Sequence, residues 1–308
     1  MSDQIKLLFV IDCYRNPYAG TEGQLLKLLA GLDRTGFDAE LVVFRGSDYL
    51  AGNRLPVPVT VLGIGRLLSP KSWLRLFGFF RGKRSAGYRL AHIFFNDASI
   101  ICPPILKLLG YRVIISRRDM GYWLNRFNLL PLRLNRLLVD RVTVNSVAVK
   151  DMTVAREWYA RDRIEVIYNG YETTAATVPT DIETLFPKDV TLKLVLVANI
   201  RPIKRIQDAI HALARLRESS PDCVLCIVGD GSQDELRALC ATLGLSGHVR
   251  FLGPRTDVHA LLPAFDVGLL CSESEGFSNT LIEYLQAGLA VVCSDVGGNP
   301  EIIEHGVT

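Results

Sequence analysis

The chain has no apolar stretch approaching the about 18 residues that a membrane-spanning helix requires, so no membrane span is encoded. It has no low-complexity tract either. Its 25 Gly and 14 Pro are scattered over 308 residues, of which 49% are hydrophobic and 22% charged, which excludes disordered and collagen-like classes. No small-residue cleavage site follows the N-terminal MSDQIKLLFVID, so that segment reads as a first strand rather than a signal peptide. No self-similarity recurs at a period of 20–50 residues. A full G-x-G-x-x-G fingerprint is missing too: in Gly229-Asp230-Gly231-Ser232-Gln233-Asp234 an Asp takes the last glycine position. The first strand is followed by CYRNPYAGT, so a nicotinamide-dependent oxidoreductase is disfavoured. Cysteine is sparse and odd in number, seven in all, as expected of reduced thiols in a cytosolic protein. Cys223 and Cys226 have CxxC spacing but lie in an apolar strand-like run, where side chains three apart face opposite sides. That speaks against a redox or metal pair.

What is present is a strong asymmetry of charge. Residues 1–170 carry 25 Lys+Arg against 14 Asp+Glu, and residues 171–308 carry 10 against 18. A basic half joined to an acidic half implies two domains with different partners. Short apolar or β-branched runs alternate with amphipathic segments along both halves. Strands are predicted at 5–11, 38–44, 57–62, 90–95, 112–116, 141–144 and 164–168, then at 191–198, 223–229, 249–252, 266–270 and 290–293. Segments such as 21–34 and 205–218 read as helices between them. Runs such as LKLVLVA are apolar on both faces, as buried parallel strands require. The predicted fold class is therefore α/β, with two Rossmann-like doubly wound domains facing a cleft. The expected division is 1–170, a linker at 171–190 rich in Thr, Pro and acids, and 191–308. The second domain is expected to be incomplete, because after GGNPEIIEHG the chain reaches Val307-Thr308 with no closing strand or helix.

Four turns between a strand and a helix invite a chemical reading. Ile200-Arg201-Pro202-Ile203-Lys204-Arg205 crowds three cations at a helix N-terminus, where the helix dipole already favours an anion. A phosphate site is one reading and a solvated basic turn the other. Glu275-Gly276-Phe277-Ser278-Asn279-Thr280-Leu281-Ile282-Glu283 sets two carboxylates about a tight turn of backbone N–H groups, suited to a ligand with hydroxyls at both ends and a diphosphate between. Capping boxes at Thr280/Glu283 and Ser272/Glu275 would equally account for both acids. Val228–Asp234 is a lone GxG turn. Ala19-Gly20-Thr21-Glu22 either lets backbone approach a ligand at Gly20 or is N-capped by Thr21.

Residues 66–89 hold seven Lys/Arg and no acid, with Trp73, Leu74, Phe77 and Phe80 at helical spacing. Such a segment suits either a helix lying on anionic lipid or a helix packing its aromatics on the sheet. Nucleic acid fits worse, because the acidic half would repel it and no binding motif is present.

Taken together these residues resemble glycosyltransferase family 4, retaining transferases of the two-Rossmann GT-B type. ESEGFSNTLIEYLQAGLAVVCSDVGGNPEII is similar to that family's E-x7-E signature and glycine turn, VANIRPIKR to its basic loop, and IVGDGSQDELRAL to the turn after it. VRFLGPRTDV, VTVNSVAVKDM and IEVIYNGYE resemble further family segments in family order.

The resemblance implies transfer of a sugar from a nucleotide-diphospho-sugar to a glycan or lipid-linked acceptor, in cell-envelope or surface-polysaccharide synthesis. Glu275 would contact the donor sugar and Glu283 the ribose. Lys204, with Arg201 or Arg205, would neutralise the leaving diphosphate, because the family's usual Arg aligns with Asn199. Backbone at Gly20 and from Gly276 and Phe277 through Ser278, Asn279 and Thr280 would complete the donor cradle. Arg118 and Asp119 are the acceptor-side candidates, standing where many relatives carry a His. Neither metal nor cofactor is expected, since cations and helix dipole stabilise the charge. A cytoplasmic protein follows, attached peripherally to anionic membrane through 66–89. A sugar-nucleotide epimerase of the same architecture and a non-catalytic binding fragment are the alternatives.

Overall fold

The computed structural model describes residues 4–17, 20–67, 69–171, 185–186 and 189–308. Two compact units divide the chain, Met1–Gly170 and Tyr171–Thr308. Most of the expected linker at 171–190 lies outside the described residues.

The first unit runs β1 (Ile5–Cys13), α1 (Gly20–Gly31), β2 (Phe37–Arg45), α2 (Asp48–Gly52), β3 (Val59–Val61), α3 (Pro70–Ser85), β4 (Leu90–Ile93), α4 (Asn96–Leu108), β5 (Arg112–Arg117), α5 (Arg126–Asn135), β6 (Arg141–Val144), α6 (Val147–Glu157) and β7 (Ile164–Val166). Its seven strands are parallel, in the order β3-β2-β1-β4-β5-β6-β7. The second unit runs β8 (Leu192–Val197), α7 (Ile206–Leu216), β9 (Cys223–Val228), α8 (Asp234–Thr242), β10 (Val249–Gly253), α9 (Val258–Leu261), β11 (Val267–Leu270), α10 (Asn279–Gln286) and β12 (Ala290–Cys293). Its order is β10-β9-β8-β11-β12, again parallel. All twelve predicted strands form, with bounds differing by at most two residues.

The reason lies in double-sided burial. Leu8 and Val10 of β1 enter one core layer while Leu7, Phe9 and Ile11 enter the other, so the strand must be apolar throughout. Strand β9 is buried along its whole length, with Cys223 and Cys226 in separate layers on opposite faces. All seven cysteines are free.

Helix α4 carries Pro103 and Pro104 inside it. Each proline lacks the N–H that would satisfy the carbonyl four residues back. The buried Asn135 amide of α5 donates to both stranded carbonyls, Ser99 and Ile100, each at 2.9 Å. Helix α3 packs most of the apolar side chains of 66–89 on the sheet. Leu76 and Phe80 are fully buried, Trp73, Phe77 and Phe79 pack against the same layer, and Leu74 alone of this set points outward. Among the described residues no helix is long and apolar enough to cross a membrane.

Candidate active site

In the second sheet β8 lies between β9 and β11, so the strand order reverses there. Open α/β sheets bind ligands beyond the carboxyl ends of strands at such a point. Strands β8 and β11 pair only at Leu194–Val195 with Val267–Gly268. Beyond that pair the fully buried Tyr284 of α10 bridges them: its hydroxyl accepts from the Val197 N–H at 2.8 Å and donates to the Leu269 carbonyl at 3.2 Å. Gly268 makes room for it, since a Cβ there would stand 2.3 Å from the tyrosine ring.

Two loops leave this opened end. The first, 198–205, closes in the 3-10 turn Pro202–Lys204, and Arg205 at φ +50 leads into α7. It is laid against the glycine turn after β9, with the Ile200 N–H donating to the Asp230 carbonyl at 2.7 Å and the Asp230 N–H to Asn199 Oδ1 at 3.2 Å. A Cβ at Gly229 would lie 2.0 Å from the Ala198 carbonyl oxygen, so the GxG serves the approach of two loops. In the second loop, 271–278, the Glu273 N–H donates to the Ile203 carbonyl at 2.8 Å. That bond sets Glu275 against Lys204, whose Nζ donates to Glu275 Oε1 at 2.6 Å. The Glu275 carbonyl accepts from the Gly298 N–H at 3.2 Å, which ties the glycine turn after β12 to the same loop.

The basic turn is therefore not the set of uncompensated cations that its sequence suggests. Lys204 faces Glu275, and Arg205 grips Asp208 through Nε at 2.9 Å and Nη2 at 3.1 Å. Arg201 is exposed and forms no ion pair among the described residues. Capping boxes are also excluded. Ser278 is the N-cap of α10, and Thr280 sits inside the helix with its hydroxyl donating to the Val197 carbonyl at 3.3 Å. Ser272 and Glu275 lie in a loop, and the Ser272 hydroxyl is buried without a partner. Glu283 stands one turn into α10, half-buried. Gly276 and Phe277 precede the N-cap, and Asn279 Oδ1 accepts from the Tyr171 hydroxyl at 2.5 Å. Tyr284 and the buried Asn299, whose amide donates to the Ser294 carbonyl at 3.0 Å, carry no sequence signal beyond following the two motifs.

The first sheet reverses at β1, between β2 and β4. Buried Asp12, next to last in that strand, accepts from the N–H groups of Asp97 at 2.9 Å and Ala98 at 2.6 Å, anchoring α4. Burial, with the Asp97 charge, pushes its pKa to about 7. Phe95 joins β4 to α4 at φ +64 and ψ 178, a backbone that costs roughly 1–3 kcal/mol outside glycine. A narrow recess here is lined by Thr21, Phe95, Asn96, Arg118 and Asp119, among others. Gly20 is the first residue of α1, so Thr21 is not its N-cap; Ala19 lies outside the described residues. Arg118 donates to Asn169 Oδ1. Asp119 accepts from the Gly121 N–H at 2.7 Å and Trp123 Nε1 at 3.0 Å, and burial raises its pKa. Neighbouring Arg117 turns inward instead and forms a bidentate pair with Glu157, at 2.7 and 2.8 Å. Among the described residues no group of three or more His, Cys, Asp or Glu could hold a metal ion.

Beneath the recess, His92 Nε2 meets Ser116 Oγ at 2.8 Å and Thr143 Oγ1 at 3.3 Å, across three adjacent strands. Burial, reinforced by Arg118, depresses its pKa from 6.5 to about 3. Below pH 6.5 the unfolded chain takes up a proton that the folded chain refuses, so this stability is lost as pH falls through that window. The melting temperature of His92→Gln is expected to fall less steeply than wild type between pH 6.5 and 4, by calorimetry; parallel curves would refute this.

The family described as Glycosyltransferase Family 4 matches residues 18–175, more than half of the chain, and glycosyl transferases group 1 matches residues 179–308. N-acetyl-alpha-D-glucosaminyl L-malate synthase of Bacillus anthracis is 37% identical over 116 residues, 37% of this chain and 30% of that protein. Phosphatidyl-myo-inositol mannosyltransferase of Mycolicibacterium smegmatis is 30% identical over 170 residues, 53% of this chain and 42% of that one. The matched segments thus span well under half the length of these relatives. Anabaena HepE, solved in complex with UDP-glucose, superposes with a TM-score of 0.83 at 24% identity, covering 99% of this chain and 84% of HepE. At that identity the likeness is one of fold, and with the family match over the first unit it places the chain in glycosyltransferase family 4.

Proposed function

We propose that the protein is a retaining, metal-independent glycosyltransferase that moves a hexose from a nucleotide-diphospho-sugar to a glycan or lipid-linked acceptor in surface-polysaccharide synthesis, at the cytoplasmic face of the membrane. The observation that carries this reading is the meeting of Lys204 and Glu275 at the point where the second sheet reverses, beside the N-terminus of α10. A diphosphate would take Lys204 from Glu275, with Arg201 or Arg205 as the second cation. The released carboxylate would then face the sugar. Backbone from Gly276 to Thr280, and at Gly20, would cradle the donor, with Glu283 on the ribose. The first domain, with Arg118 and Asp119 in its recess, would receive the acceptor. Support for a uridine nucleotide comes from HepE, solved with UDP and with UDP-glucose.

The test is calorimetric titration with a panel of nucleoside diphosphates and nucleotide sugars, followed by nucleotide release with and without acceptor glycans or lipids. Binding of one nucleotide sugar, its acceptor-dependent turnover, and weakened nucleotide binding in Glu283→Gln are expected. Binding of none, or release that ignores the acceptor, would overturn the reading.

A further inference from the structure

From residue 66 to residue 139 the chain carries 14 Lys+Arg and only two acids, Asp97 and Asp119. Asp97 is paired with Arg45 and Asp119 accepts two internal hydrogen bonds; Lys83, Lys107 and Arg117 are in turn paired with Glu40, Asp140 and Glu157, so the basic surface rests on the remaining Lys and Arg. Helices α3, α4 and α5, which this segment contains, pack side by side over one layer of the first sheet.

The outer surface of α5 is apolar where solvent-facing helices are normally polar. Helix α5 buries Leu132 and Asn135 toward α4 and presents Phe127, Leu130, Leu134 and, just past its end, Leu137 outward, 59–77% exposed. The spacing of three, four and three residues makes them a single stripe. Next to it Leu74 and Leu108 form the lips of an apolar groove of about 280 Å³ between α3 and α4, exposed by 74% and 77%. Arg126 and Arg136 flank the stripe, and Lys71, Arg75 and Arg81 stand exposed on α3. The core already has its share of these helices, so the stripe does no packing work inside the unit.

We propose that this face docks on an anionic lipid bilayer, with the leucine stripe of α5 and the lips of the α3–α4 groove entering the interface and the arginines on phosphates. Charge decides the occupant: a surface nearly free of acids, apolar at its centre and ringed by cations, matches a layer of anionic head groups over acyl chains. The contact made by 66–89 is thereby reassigned, since α3 contributes Leu74 and its cations while Trp73 and Phe77 stay on the sheet. Nothing in the inference depends on which donor or acceptor the protein uses.

The test is co-sedimentation of the whole 308-residue chain with vesicles of phosphatidylcholine, alone or mixed with phosphatidylglycerol, at low and high salt. Binding to the mixed vesicles alone is expected, weakened by salt because exposed charges are screened beyond about 10 Å at 0.1 M. Leu130→Ser with Leu134→Ser should reduce partition at least about tenfold at either salt, since the loss is of buried apolar area. Arg136→Glu should reduce it at low salt only. All three positions are exposed, so unchanged melting and unchanged nucleotide affinity are expected, and a failure here leaves the proposed transferase activity untouched. Equal binding to neutral vesicles, no binding, or a dimer in solution that the leucine double variant dissolves would each overturn the proposal.

Discussion

Lys204→Ala is expected to weaken nucleoside-diphosphate affinity at least about tenfold, because a charge-assisted hydrogen bond contributes roughly 1.5–3 kcal/mol. Glu275→Gln should act in the opposite sense on binding. Lys204 donates to Glu275 Oε1 at 2.6 Å, so without ligand the carboxylate holds the ammonium that the diphosphate would take. Glutamine keeps the shape and removes the charge, which releases the lysine. Nucleotide affinity should hold or rise, while turnover falls if the carboxylate faces the sugar in the complex. Calorimetry with UDP and a nucleotide-release assay separate the two effects. Unchanged affinity in Lys204→Ala, or equal loss of nucleotide binding in Glu275→Gln, would defeat the assignment. If both substitutions only lowered the melting temperature, the pair would be structural.

The largest stability effect is expected at Glu157. Its side chain is fully buried and Arg117 is nearly so, and the two meet bidentately at 2.7 and 2.8 Å, with Arg117 Nη1 also donating to Ser99 Oγ at 3.0 Å. Removing one member of a buried ion pair leaves an uncompensated charge in a poor dielectric, at a cost of about 3–5 kcal/mol. Glu157→Ala should therefore unfold the first unit at much lower temperature or denaturant. Arg117→Met with Glu157→Leu should recover most of the loss, since replacing a whole buried pair by apolar side chains is often neutral. Urea unfolding of the single and double variants checks both halves. A loss below about 1 kcal/mol in Glu157→Ala would mean that water reaches the arginine. The pair also commits the guanidinium of Arg117, which lines the same recess as Arg118, to Glu157.

By itself the sequence determined the class of fold, the twelve strands and the order of the motifs along them. Those features are local: a parallel strand covered on both sides must be apolar at every position, whatever its partners, and a helix between strands must carry one apolar stripe. The composition of 66–89 was equally legible, but its direction was not. Leu74 and Phe77 are both apolar residues of one helix, and only the sheet beneath decides that Phe77 turns in and Leu74 out. Lys204 and Glu275 are brought together because β8 and β11 are neighbours, and strand order is set by the packing of the whole unit, not by either loop. The same holds for Asn135 on the two carbonyls freed by Pro103 and Pro104, and for Tyr284 between two diverging strands. Polar side chains find partners by proximity in space, and a one-dimensional pattern records periodicity but not proximity. The counter-charge of Lys204, and with it the ligand's competition for that lysine, was therefore decided by tertiary structure alone, whereas Arg205 and Asp208 pair within one turn.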